Sequence, residues 1–207
     1  MSRSVWVILA ILALAFAAIT GIAVKRGILG GFGGAPQQTF AIGGPFHLTD
    51  QQGRPADEKL LKGKWSAVFF GYTFCPEACP TTLLALGQTE TLLGPKSADF
   101  QTVFISVDPQ RDTPKAMANF LSNTSFPRRV VGLTGTADQA AAAARAYHVF
   151  FQKAGEGPNY EVNHSTITYL MDPKGGFVCA LPYGATPDVL AQKITTAMQK
   201  GAGAQSC

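Results

Sequence analysis

The seven residues from Trp65 to Gly71 (WSAVFFG) carry no charge and are apolar almost throughout, with aromatic and β-branched members. A strand of that composition has no face to leave in water. It reads as a central strand covered on both sides, which demands helices packed against a sheet. Cys75 and Cys79 follow at once, in Thr73-Phe74-Cys75-Pro76-Glu77-Ala78-Cys79-Pro80, and a helix pattern runs from Thr81 to Leu93 with Leu83, Leu86, Leu92 and Leu93. Phe100 to Val107 returns to strand composition. The order is strand, helix, strand, with a cysteine pair at the first junction.

The rest of the chain extends that alternation. Phe46-His47-Leu48 and Arg54 to Ala56, with a turn near Gly53, read as a short hairpin lying as a small lid on a larger body. Thr113-Pro114 and Thr186-Pro187 each place a capping hydroxyl before a proline at the first helical position, and Thr136 with Gln139 forms a capping box. Val130 to Leu133 is a short strand. Thr166 to Met171 and Phe177 to Leu181 form a hairpin through Pro173-Lys174-Gly175-Gly176, and a last helix buries Leu190, Ile194 and Ala197. This describes an α/β sandwich of the thioredoxin type.

Ahead of that body lies a different kind of segment. Val5 to Val24 is uncharged for twenty residues, enough helix at about 1.5 Å per residue to match a hydrocarbon core of about 30 Å. We read residues 1–26 as a transmembrane anchor with its flanks. A cleaved signal peptide is the alternative, with Ala15-Phe16-Ala17 as its cleavage site, but apolarity continues past it. Residues 27–39, rich in glycine, form a flexible tether, 40–200 the folded domain and 201–207 a mobile tail. Local charge leaves the orientation open. Of 17 Lys and Arg against 13 Asp and Glu, three flank the apolar segment (Arg3, Lys25, Arg26), so the body is nearly neutral. No basic stripe remains for phosphates, which sets nucleic acid aside.

The chemistry concentrates on the cysteine pair. Pro80 disfavours helical geometry at Cys79, so both sulfurs belong at the helix entrance, where unpaired N–H groups and the positive end of the dipole favour thiolate. Spacing alone leaves several uses open: a small structural disulfide, a redox pair, or a soft-metal site. Structural zinc lacks a second paired motif, since Cys179 and Cys207 are isolated. Two thiolates select Cu(I), and a neutral imidazole would let the same site hold Cu(II). Of three histidines, His47 reads as a partly buried filler in the leading hairpin and His148 as a helix-terminal residue. His164, between a Gly/Pro-containing loop and the strand from Thr166, is the candidate third ligand.

At this point the residues resemble a known family, the Sco/SenC copper chaperones of cytochrome c oxidase assembly. The likeness rests on Gly71-Tyr72-Thr73-Phe74-Cys75-Pro76-Glu77-Ala78-Cys79-Pro80, on Ser106-Val107-Asp108-Pro109-Gln110-Arg111-Asp112-Thr113-Pro114, and on Asn163-His164-Ser165 leading to Tyr169-Leu170-Met171-Asp172. It covers roughly Phe40 to Lys200. The resemblance implies copper held by Cys75, Cys79 and His164, with the cysteines also a redox pair. It further implies a copper donor protein, delivery to the CuA site of cytochrome c oxidase subunit II, and a domain facing the periplasm from a single-pass inner-membrane helix.

One position departs from the family pattern: Asn163 stands where members often carry aspartate, which puts a carboxylate support for the histidine in doubt. Asp108 reads as a turn residue before Pro109. Cys179, alternating with Phe177 and Leu181, reads as a buried small hydrophobe. Nothing in the sequence supports a bond between it and Cys207. The competing function is a thiol-disulfide oxidoreductase that acts on client disulfides without copper transfer and does not need His164.

Overall fold

In the computed structural model the described residues are 41–207 together with Ser4, Trp6, 11–14 and Phe16. Two unbroken apolar runs become the strands at the centre: β3 (Trp65–Gly71) and β4 (Phe100–Ser106), each buried at all seven positions. They pair in parallel from Trp65 opposite Phe100 to Gly71 opposite Ser106. Alternation sends their aromatic side chains both ways. The Phe69 and Phe104 rings stack at 4.8 Å, and Phe104 meets Phe120 at 5.8 Å on one face, while Phe70 meets Tyr147 at 5.3 Å on the other.

Around that pair the seven-stranded sheet runs in the order β2 (Pro55–Asp57), β1 (His47–Asp50), β5 (Val130–Thr134), β4, β3, β8 (Thr168–Met171), β9 (Phe177–Leu181). β5 is parallel to β4; β1, β8 and β9 are antiparallel to their inner neighbours. The leading hairpin is therefore no lid. Its strand β1 bonds to β5 and extends the sheet, with Phe46 and Leu48 buried while His47 between them is exposed, correcting the partly buried reading.

Among residues 41–207 four α-helices complete the body: α1 (Ala78–Leu92), α2 (Pro114–Leu121), α3 (Ala137–Ala146) and α4 (Pro187–Lys200). The expected caps form at α2, where the Thr113 hydroxyl accepts from Ala116 N–H, and at α3, where the Thr136–Gln139 capping box closes both ways. Thr186 makes no such side-chain bond. Met117 and Leu121 of α2 lie against β5 so closely that a Cβ on Gly132 would stand 2.4 Å from Met117 Cγ.

Two further regions differ from expectation. The segment before β8, read as a loop, is a two-stranded ribbon of β6 (Phe151–Ala154) and β7 (Glu161–His164). The tail 201–207 is tied down: Cys179 and Cys207 form a disulfide, and Gly203 N–H donates to the Asp172 carboxylate. Cys179 is thus a bonded cysteine rather than a filler thiol. β9 and α4 return the chain over its own path, which brings partners 28 residues apart into bonding distance. The proposed anchor and tether lie mostly outside the described residues; within them Trp6, residues 11–14 and Phe16 are helical and exposed. No helix among the described residues is long and apolar enough to cross a membrane.

Candidate metal centre

Strand β3 ends at Gly71, and the chain turns through Tyr72 to Glu77 before α1 begins at Ala78. Cys79 is the second residue of α1, and Pro80, which has no N–H to satisfy, falls in the same first turn. The helix starts three residues earlier than its apolar pattern indicates, because loop geometry rather than periodicity fixes its first turn. Its amino terminus has no side-chain cap from Glu77. The Cys75 sulfur does that work, accepting the Cys79 backbone N–H at 3.4 Å. Cys75 is 9% exposed and Cys79 1%.

This geometry splits the two thiols. The Cys79 S–H hydrogen bond, outweighing burial, together with His164 and the N–H groups of Cys79 and Glu77, lowers Cys75 to about 3. The same hydrogen bond, and then burial, push Cys79 far upward, so it keeps its proton. Cys75 is the resident thiolate. In the metal-free protein, alkylation of Cys75 should therefore proceed at an unchanged rate from about pH 8 to 5, where an ordinary thiol of pKa about 8.5 slows roughly tenfold per unit. Quantifying the labelled cysteine by mass spectrometry checks this, and a rate falling in step with pH across that range would contradict it.

The ribbon supplies the third group. His164 ends β7, half-buried, with Nε2 3.8 Å from Cys79 Sγ. Its Nδ1 lies 2.9 Å from the Ser165 carbonyl, an acceptor only, so Nδ1 carries a proton and Nε2 is the nitrogen that faces the sulfurs. Burial works to lower the imidazole, but the bonds to the Cys75 sulfur and to Ser165 outweigh it and the pKa is raised. The orienting partner is a backbone carbonyl, not residue 163. Asn163 sits on the exposed side of β7 opposite Gln152, so the departure from the family pattern falls away from the imidazole. The Tyr72 ring stands edge-on to His164 at 5.7 Å.

Cys75, Cys79 and His164 thus bring two sulfurs and one imidazole nitrogen within 4.8 Å of one another. A trigonal ion with bonds of about 2.0–2.3 Å spans ligands about 4 Å apart, so adjustments under about 1 Å close the set. Two soft sulfurs with one imidazole favour copper. His47 and His148 lie outside this group. His148 adopts φ 53° just past the end of α3.

The fit depends on what is missing at Gly71. A Cβ there would stand 2.3 Å from Cys79 Sγ and 2.7 Å from Phe104 Cε2. Sequence reasoning passed over a second set of supports. Asp112, fully buried, accepts from the Thr73 backbone N–H and hydroxyl and from the Ser106 hydroxyl, locking the cysteine loop to the end of β4. Burial raises its pKa against those bonds. Asp108 is no mere turn residue: it is buried, pairs with Arg111 and accepts the Tyr160 hydroxyl at 2.6 Å. Polar residues in a loop after a strand carry no periodicity that would signal burial.

Residues 34–199 match the family model described as SCO1/SenC. The chain is 43% identical over 147 residues to the mitochondrial protein SCO2 of Saccharomyces cerevisiae, covering 69% of this chain and 48% of that protein. It is 39% identical over 162 residues to SenC of Rhodobacter capsulatus, covering 78% and 72%. The chain spans about half the length of the yeast relative. Among solved structures it superposes on Bradyrhizobium japonicum ScoI, determined with copper bound, at a TM-score of 0.67 and 41% identity, covering 73% of this chain and 96% of that one. The family match, the sandwich and the sulfur–imidazole cluster at the mouth of α1 agree, and the chain belongs to the SCO1/SenC family.

Proposed function

We propose that this protein is a membrane-anchored copper chaperone that binds copper through Cys75, Cys79 and His164 and hands it by ligand exchange to the CuA site of cytochrome c oxidase subunit II. One observation carries the reading: three donor atoms of the right softness, the imidazole coming from 85 positions beyond the nearer cysteine, stand within 4.8 Å at a helix amino terminus. The bound ion would replace the Cys79 proton and any proton on Nε2, so loading releases protons and follows pH. Phe74, 61% exposed and adjacent to Cys75, gives an approaching client an apolar contact beside the ligands. The likeness to a copper-bound ScoI supports the metal, and the family resemblance supports the client and a separate copper donor protein.

The Cys179–Cys207 disulfide suits an oxidising compartment. It supports a domain facing the periplasm, while the uncharged run from Val5 to Val24 and the family resemblance support a single-pass inner-membrane anchor with its amino terminus in the cytoplasm.

A second reading is favoured by the unequal thiols. A Cys75 thiolate attacks a client disulfide, and Cys79 resolves the mixed disulfide; the client gains two electrons and the Cys79 proton, its other thiolate taking a proton from water, while Cys75 and Cys79 become a disulfide. Titration of the reduced protein with Cu(II) separates the two. His164→Ala should weaken Cu(II) retention tenfold or more and remove the thiolate-to-copper charge-transfer band. A full-strength band in that variant would take His164 out of the site, and client reduction by metal-free protein at an unchanged rate in the same variant would favour the oxidoreductase.

A further inference from the structure

The β6–β7 ribbon that carries His164 is not part of the main sheet. A two-stranded hairpin is marginal by itself, so what fixes it over the cysteines must come from outside its own ladder. Part of that is apolar, from Tyr160 and Val162, both buried. The polar part converges on one side chain. Arg111, on the loop after β4, donates from Nη1 to the Tyr160 carbonyl at 2.9 Å and the Pro158 carbonyl at 3.3 Å, at the entry to β7. Its Nε pairs with the buried Asp108 carboxylate, which also takes the Tyr160 hydroxyl. The guanidinium lies 3.6 Å from the centre of the Tyr160 ring, 4.7 Å from that of Phe74 and 5.6 Å from that of Tyr72. Phe74 and Tyr72 belong to the cysteine loop. A single planar group therefore touches the loop that carries Cys75 and the strand that ends in His164.

We infer that Arg111 is the positioning residue that holds the His164 ribbon against the cysteine loop, so that the imidazole, and with it the capacity for Cu(II), depends on a side chain that is not itself a ligand. Only a rigid fork that donates in two directions while stacking on aromatic faces meets all these contacts; an ammonium does not. Cys75 on the loop and Cys79 in the first turn of α1 keep their own geometry without the ribbon, so Cu(I) retention is the lesser dependent. The metal half of the inference rests on the copper reading above, whereas the ribbon half does not.

The test uses full-length protein and two readouts. In metal-free protein, hydrogen exchange of the β7 amides should be tenfold or more faster in Arg111→Gln than in wild type. In Cu(II)-loaded protein, the charge-transfer band should fade and Cu(II) affinity drop at least tenfold, with Cu(I) retention within about threefold. Arg111→Lys should fail to restore either. Because Arg111→Gln leaves the Asp108 carboxylate unpaired in a buried site, the double variant Arg111→Gln/Asp108→Asn removes that burden and should show the same ribbon exchange in a folded protein. Arg129→Gln is the control: it loses an ion pair to the buried Glu90, about 16 Å along α1 from Cys79, and should leave both readouts at wild type. Wild-type β7 exchange in both Arg111 variants, rescue by lysine, or an equal loss in Arg129→Gln would each overturn the inference. If wild-type protein itself gives no His164-dependent band, the copper reading fails, and β7 exchange alone still decides the role of Arg111.

Discussion

Cys75→Ser is expected to abolish copper retention, a loss of a thousandfold or more, and to remove all rapid alkylation at neutral pH. Cys79→Ser should lose copper to a similar extent yet keep an alkylatable thiolate. The asymmetry follows from which sulfur holds the charge. Cys75 accepts the Cys79 S–H and, more weakly, the Cys79 backbone N–H in the first turn of α1, and is the thiolate; Cys79, buried beside Gly71, holds its proton. A serine at 75 neither ionises nor offers a soft donor, and it leaves a protonated thiol beside the imidazole. A serine at 79 still leaves the Cys75 sulfur at the amino terminus of the helix. Copper stoichiometry by atomic absorption and alkylation followed by mass spectrometry measure the two effects separately. Equal alkylation of the two variants would show that the charge is not localised on Cys75.

The second large effect is on stability. The double variant Cys179→Ser/Cys207→Ser should unfold at a temperature lower by about 7–14 °C, from about 3–4 kcal/mol lost with a bridge closing 28 residues. The bridge restrains the unfolded chain across β9, α4 and the tail, and in the folded state it keeps residues 201–207 where Gly203 meets Asp172. Scanning calorimetry of wild type should show the same decrease on adding reductant, because Cys75 and Cys79 are already free thiols. Copper stoichiometry in the double variant stays at wild type. A melting temperature within about 2 °C of wild type would mean that the bridge adds little beyond the packing of α4.

What could be read in advance follows from the range of the forces involved. β3 and β9 occupy the residues their composition marks out, and β4 and β5 lie within one residue of theirs, because an apolar run bounded by turn residues declares itself locally, whether buried throughout as in β3 and β4 or only in part as in β5 and β9. The caps at Thr113 and Thr136 are contacts over three residues and were legible for the same reason. The ribbon was not: Phe151–Ala154 and Glu161–His164 are half-exposed, polar and four residues each, with nothing in composition to separate them from a loop. His164 was singled out by its place before a strand and by family resemblance, while the fold shows why it works there: it closes the last pair of that ribbon, opposite Phe151.

The sequence by itself determined the strand–helix order, the two cysteines at the mouth of the first helix and the near-neutral body, since each rests on residues a few positions apart. The tertiary structure decided the rest. It chose which thiol ionises, because that depends on which sulfur accepts the other's S–H and which is the more deeply buried. It joined Cys179 to Cys207, because only the return of α4 over β9 brings them together. It turned Asp108 and Asp112 from loop residues into buried supports of the site and Arg111 into a partly buried one, because burial is a property of what packs over a residue, and their partners lie as far as 52 positions away.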